Sequence, residues 1–246
     1  MLKTIITTVI LLTVFIVSGC ANSEARTLTF QPDDELVVLA HGLGRSDWAM
    51  WRLAEQLEDA GYKVCRLDYD TLGESVSSVL AETSKQIDAC IVNAPKIHFV
   101  GHSLGGLITR AYLQNNLDKI GQERLGEVVL MGTPNKGSEL ADHFNDSWLM
   151  DIAGGITQAM MTGDNSLGNS LGELEVNFGV IAGTESSSLT NDKFTGPNDG
   201  LVSVESTKLK NMSDFITIKV NHAQMRYNEE VAEQTIHFLR KGVFKH

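Results

Sequence analysis

Gly101-His102-Ser103-Leu104-Gly105-Gly106 is the stretch on which the fold turns. Before it lies the apolar run from Ile97 to Gly101, and after it Leu104, Leu107, Ile108, Ala111 and Tyr112 recur at helical spacing. The hydrophobic period therefore switches from strand to helix at Ser103. A residue at so abrupt a turn sits in strained backbone, and side chains two positions to either side would collide with neighbouring strands. Gly101 and Gly105 remove those side chains. The turn lifts the Ser103 hydroxyl above the strand ends and leaves the backbone N–H of Leu104, at the helix start, facing the same space. A glycine-rich phosphate loop shares the glycines but does not require a serine at the switch of period.

Working outward, Leu36 to Ala40 reads as a buried strand, followed by turn chemistry at His41-Gly42-Leu43-Gly44 and a helix from about Ser46 to Ala60. Tyr62 to Asp68 is the next strand, and Val76, Val79, Leu80, Thr83, Ile87, Cys90 and Ile91 mark one helical face. Val128 to Met131, Phe178 to Ala182 and Phe215 to Val220 read as further strands, with a closing helix over Glu229 to Arg240. This alternation predicts an α/β fold with a mainly parallel sheet of about six strands and helices on both faces. Residues 135–174 interrupt the rhythm. Trp148, Leu149, Ile152, Ile156, Met160 and Met161 form an amphipathic pattern there, ahead of a Gly/Asn/Ser-rich stretch. That is the composition of a small lid over an apolar pocket or of an ordinary packing helix.

The chain has 246 residues, 20 Lys+Arg against 31 Asp+Glu, a net charge of -11 and 42% hydrophobic residues. An acidic surface argues against nucleic acid, whose binding rests on basic side chains. Three cysteines and four prolines exclude a disulfide-dense mini-protein and a proline-rich linker. The histidines show no metal-binding spacing, so neither metal nor other cofactor is expected.

With the strand-to-helix serine stand His41-Gly42-Leu43-Gly44, Gly132-Thr133-Pro134-Asn135-Lys136-Gly137-Ser138, Asn198-Asp199-Gly200-Leu201-Val202 and Asn221-His222. In this order the pieces resemble the α/β-hydrolase superfamily, in particular small bacterial lipases and esterases and inositol-deacylase-like hydrolases, from about Leu36 to Phe238. The resemblance implies a serine hydrolase acting on carboxylic esters of lipid or acyl type through an acyl-enzyme on Ser103. It implies the triad order Ser, acid, His. His222 follows the apolar strand that ends at Val220, where such sheets present ligand-binding groups, whereas His237 falls inside a helix and His246 ends the chain. Asp199, in a turn, is the expected acid and Asp192 its rival. Leu43 and Leu104 are the expected backbone donors to an oxyanion, with His41 as a buttress of that loop. Thioesterase, amidase and phospholipid deacylase chemistry share this machinery, and a non-catalytic scaffold could keep the fold.

The first residues read as a targeting segment: Lys3, the apolar Ile5 to Val17, then Ser18-Gly19-Cys20. They resemble a bacterial lipoprotein signal over 1–19, with Cys20 as the lipidated residue, a tether over 20–33 and the hydrolase domain over 34–246. An ordinary secretory signal is the alternative. Ala21 directly after the cysteine points to the outer rather than the inner membrane. Cys65 and Cys90 fall at a strand start and at the end of the antiparallel helix that follows it, so they either pair or remain two buried thiols.

Overall fold

The computed structural model describes residues 28–143, 155–164, 166–186 and 190–246. Cys20 and the signal segment lie outside the described residues, as do Trp148, Leu149 and Ile152. Leu28 and Phe30, in the stretch read as a tether, pack partly buried against the core.

The apolar runs pair as β1 (Glu35–Ala40), β2 (Lys63–Arg66), β3 (Lys96–His102), β4 (Leu125–Met131), β5 (Phe178–Gly183) and β6 (Asp214–Ile218). Every pairing is parallel, and the order across the sheet is β2-β1-β3-β4-β5-β6. The chain begins inside the sheet, moves out to β2, returns past β1 to β3 and then proceeds the other way. The order reverses between β1 and β3, so their connections leave for opposite faces and open a crevice at the carboxyl ends of the strands. Ser103 follows β3 there, and Leu43 follows β1.

The inner strands are buried on both faces, whereas the edge strands β2 and β6 are only partly covered, and the alternation along β1 shows how the core divides. Leu36, Val38 and Ala40 join one apolar cluster, Val37 and Leu39 the other. Helices α2 (Val76–Cys90) and α3 (Leu104–Ile120) cover the first face through Val79, Ile87, Leu104, Leu107 and Ile108. Helix α1 (Trp51–Asp59) and the C-terminal helix Glu229–Lys241 cover the second through Leu53, Leu57, Val231, Phe238 and Leu239. This is the α/β-hydrolase fold: six parallel strands in one sheet with helices flanking it.

The helix expected from Ser46 is divided. Asp47–Met50 is a 3-10 turn and the α-helix starts at Trp51. The turn is held from the side: Asp47 pairs with Arg66 at 3.1 Å, and its backbone N–H donates to Asp68 Oδ1 at 3.3 Å. Cys65 on β2 and Cys90 at the end of α2 form a disulfide with Cα atoms 6.2 Å apart.

In the interrupting segment the described residues form short helices, Glu139–His143, Gly155–Gln158 and Leu167–Ser170. Ile156, Met160 and Leu167 are buried in the α2–α3 side of the core. Arg110 of α3 ties this segment down from below. Its guanidinium donates to Asn135 Oδ1 at 3.0 Å and to the carbonyls of Leu171 and Gly172, each at 3.2 Å. Burial lowers the Arg110 pKa to about 10, which leaves the side chain charged at neutral pH. Asn135 in turn donates to the carbonyl of Thr207 at 2.7 Å.

Candidate active site

Ser103 caps α3 with φ 58° and ψ -127°, a left-handed conformation that costs a non-glycine residue about 1–3 kcal/mol. Packing on both sides holds it there. The Ser103 N–H donates to the carbonyl of Met131 on β4 at 2.9 Å. On the other side, a Cβ at Gly105 would run into the backbone of Ala40 and His41, with the Ala40 carbonyl carbon at 2.5 Å. Helix α3 therefore crosses β1 at a distance only glycine allows. The serine is buried except for the face turned toward the crevice.

Asp199 and His222 come from the connections after β5 and β6. Asn198 shapes the first turn by accepting the Gly200 N–H at 2.9 Å. Asp199 Oδ1 then accepts the N–H groups of Leu201 at 2.9 Å and Val202 at 2.8 Å. Its Oδ2 lies 2.7 Å from His222 Nδ1, and the His222 backbone N–H donates to the Asp199 carbonyl at 2.9 Å. An ionised carboxylate only accepts, so Nδ1 carries the hydrogen and the Nε2 of a neutral His222 ring is left as a base. Gly132, at φ 54°, makes room for the pair: a Cβ there would lie 3.1 Å from Asp199 Oδ2 and 3.2 Å from His222 Nδ1.

The rival positions lie elsewhere. Asp192 is 69% exposed and pairs with Lys193 at 3.0 Å. His237 lies on the C-terminal helix, 2.9 Å from the carbonyl of Val243, and His246 meets Asp214 at the start of β6, the end of the sheet opposite the crevice.

The loop after β1 is braced from the β2–α2 connection. The His41 ring stacks on Tyr69 at 3.9 Å, the Tyr69 hydroxyl donates to the His41 carbonyl at 2.5 Å, and the Gly44 N–H donates to Thr71 Oγ1 at 2.8 Å. Burial lowers the His41 pKa and favours the neutral ring. Leu43 reaches the crevice from this loop, while Leu104 is the first residue of α3, directly behind Ser103.

Sequence reasoning passed over three residues. His102, the second residue of the motif, is buried against His222 with ring centroids 4.7 Å apart, and its Nε2 lies 2.9 Å from the His222 carbonyl. Burial and the neighbouring His222, Arg226 and Arg45 hold its pKa well below the usual imidazole range, so it is a neutral strut. Arg45 and Arg226 border the same crevice. No sequence periodicity marks any of the three: His102 and Arg226 take their places through partners distant in the chain, and Arg45 through the course of the loop after β1.

Ser103 and His222 open into one cavity of about 250 Å³. Pro134, Leu140, Met160, Leu201 and Val202 give it much of its apolar lining, and Arg45 and Arg226 line it as well.

The fold and this cluster define a class, and the sequence falls within it: the chain belongs to the alpha/beta hydrolase fold family, whose pattern matches residues 35–171. Among curated proteins it is similar to the 2-hydroxy-6-oxononadienedioate/2-hydroxy-6-oxononatrienedioate hydrolase of Escherichia coli, 36% identical over 117 residues that cover 44% of this chain and 39% of that one. The chain thus spans about two fifths of the length of the curated relatives it matches. Among solved structures, the mature lipase BlEst2 of Bacillus licheniformis superposes with a TM-score of 0.65 at 20% identity, over 86% of this chain and 93% of that one. The phospholipase PlaB of Legionella pneumophila superposes with a TM-score of 0.57 at 15% identity, over 71% of this chain and 44% of that one. At such identities the likeness is one of fold.

Proposed function

We propose that the protein is a serine hydrolase that cleaves carboxylic esters of lipid or acyl type. The observation that carries this reading is the 2.7 Å contact between Asp199 and His222 beside a strained serine that opens into a largely apolar cavity. His222 Nε2 takes the proton of the Ser103 hydroxyl as Oγ adds to the ester carbonyl, and Asp199 stabilises the imidazolium that forms. The backbone N–H groups of Leu43 and Leu104 hold the tetrahedral oxyanion, where losing one donor typically costs about 100- to 1000-fold in turnover. Collapse of that intermediate expels the alcohol with the proton held by His222. Water, activated by the same histidine, then releases the acid from Ser103.

The apolar lining gives a hydrocarbon chain a place to lie, and Met160 adapts to chains of different shape. Segment 135–174 serves as the cover of this pocket. At the other end of the chain, lipidation at Cys20 fastens the enzyme to the cell envelope, at the outer membrane. An acidic protein would not hold to anionic lipid by charge, whereas two or more acyl chains anchor regardless of charge.

Rates on p-nitrophenyl esters of rising chain length, with Ser103→Ala and His222→Ala as controls, test the reading. Turnover that rises with chain length and vanishes in both variants is expected. Turnover unaffected by Ser103→Ala would remove the serine mechanism, and a sharp preference for acetate would remove the lipid-like substrate. Incorporation of an alkyne-tagged fatty acid, lost in Cys20→Ser, tests the anchor.

A further inference from the structure

The protein carries a net charge of -11, yet among the described residues the charged side chains that line its catalytic cavity are two arginines, with no aspartate or glutamate. Arg45 comes from the loop after β1 and Arg226 from the connection after β6, and both line the crevice together with the apolar residues. Neither forms an ion pair among the described residues. Arg45 donates only to the carbonyl of the adjacent Gly44, at 3.3 Å. Arg226 is half-buried, uses Nη1 on the carbonyl of Ala49 at 3.3 Å, and keeps a buried Nε with no hydrogen-bond partner. Asp47 and Asp68, whose charges act on His41 in the loop that carries Arg45, are engaged elsewhere: Asp47 with Arg66, and Asp68 with the Asp47 N–H.

Arg226 is burdened by its burial and by the like charge of Arg45, both of which lower its pKa. An anion seated between the two side chains would relieve both, and guanidinium presents the planar fork that carboxylate and phosphate match. We propose that Arg45 and Arg226 form an anion subsite beside Ser103. The preferred substrate is then an ester that carries a carboxylate or phosphate a few bonds from the scissile carbonyl, with its hydrocarbon part against Leu140, Met160 and Leu201. This inference rests on the ester-hydrolase reading of the same cavity and adds to it a class of substrate.

The test compares pairs of esters that differ by the anionic group. With the charge on the acyl side, monoethyl adipate is set against ethyl hexanoate. With the charge on the alcohol side, 1-butyryl-glycerol-3-phosphate is set against 1-monobutyrin. In at least one pair the anionic member should have the higher kcat/KM, by about tenfold or more, the usual effect of a charge-assisted hydrogen bond. The arm in which the preference appears tells which side carries the anion. Raising ionic strength should shrink the preference at exposed Arg45. Arg45→Gln and Arg226→Gln should each bring the ratio toward one, and Arg226→Lys should restore part of it. A ratio at or below one in both pairs would overturn the proposal, as would a ratio that both glutamine variants leave unchanged. Should Arg226→Gln fail to fold, exposed Arg45 decides alone. Binding to Ser103→Ala protein, read as the rise in Tm with each member of a pair, separates the two claims. Selective stabilisation by the anionic ester keeps the subsite even if no ester is turned over, and equal stabilisation rejects it even if esters are cleaved.

Discussion

Replacing Asp199 by asparagine removes one charge while changing the shape of the side chain very little. The amide oxygen can stay where Oδ1 is and continue to accept the N–H groups of Leu201 and Val202, at 2.9 and 2.8 Å. The amide nitrogen then faces His222 Nδ1, which lies 2.7 Å from Oδ2 in the native protein. Two donors cannot face each other, so the ring must place its hydrogen on Nε2 and accept through Nδ1. The nitrogen turned toward Ser103 is then no longer a base. A triad locked in the wrong tautomer loses about 10⁴ in kcat, equivalent to about 5.5 kcal/mol in the barrier. Stability should suffer far less, by about 1 kcal/mol, since two of the three contacts survive. Asp199→Ala makes the contrast. It strands two N–H groups in a position 1% exposed, at about 1–3 kcal/mol each, so it should unfold earlier as well as lose activity. Steady-state rates on a soluble ester, paired with urea denaturation, separate the two effects. An Asp199→Asn enzyme within tenfold of the native rate, in a preparation that Ser103→Ala silences, would refute the tautomer argument.

Three further outcomes are expected. Gly105→Ala should destabilise by about 3 kcal/mol or fail to fold, because its new methyl meets backbone that cannot yield, and an unchanged urea midpoint would contradict the close crossing of α3 over β1. His102 is buried with its pKa depressed below the ordinary 6.5, so below that pH the unfolded chain binds a proton that the folded chain does not, and stability falls as pH falls. His102→Gln should flatten the stability profile between pH 6.5 and 5 by about 1.4 kcal/mol per pH unit, and parallel profiles would show that another group is responsible. The Cys65–Cys90 disulfide closes a loop of 25 residues, so Cys65→Ser with Cys90→Ser should cost about 3.5 kcal/mol on the chain-entropy account, and a Tm unmoved by reductant would dismiss the bond as a stabiliser.

The sheet was legible because burial on both faces of a parallel strand leaves an unbroken apolar run, as at Leu36 to Ala40 and Phe178 to Ala182. The switch from strand to helix at Ser103 was legible for a related reason: both periods are local. The split of the helix at Met50 was not, since its cause is the hold of Arg66 and Asp68 on Asp47 from another part of the chain. The same limit governs the site. Asn198-Asp199-Gly200 and His222 carry turn chemistry and chain position that can be read along the sequence. His102 contacts a carbonyl 120 residues away, and Arg45 and Arg226 line one cavity only because the loops after β1 and β6 both reach the crevice. Contacts of that separation leave no local trace in a single chain.

Residues 138–142 and 160–162, some of which line the cavity, are tied to each other at nearly one place. The Ser138 N–H donates to the carbonyl of Met160 at 2.8 Å, and the Thr162 N–H donates to Asp142 at 2.8 Å. Arg110 and Asn135 fasten the base independently of anything beyond it. Because these closures bring the two ends together, doubling the length of a flexible loop between them would cost only about 0.6 kcal/mol of closure entropy. Substitutions at Leu140, Ala141 and Met160 can redraw this part of the pocket lining while Ser103, Asp199 and His222 stay in register, so specificity can drift in evolution without the site having to be rebuilt.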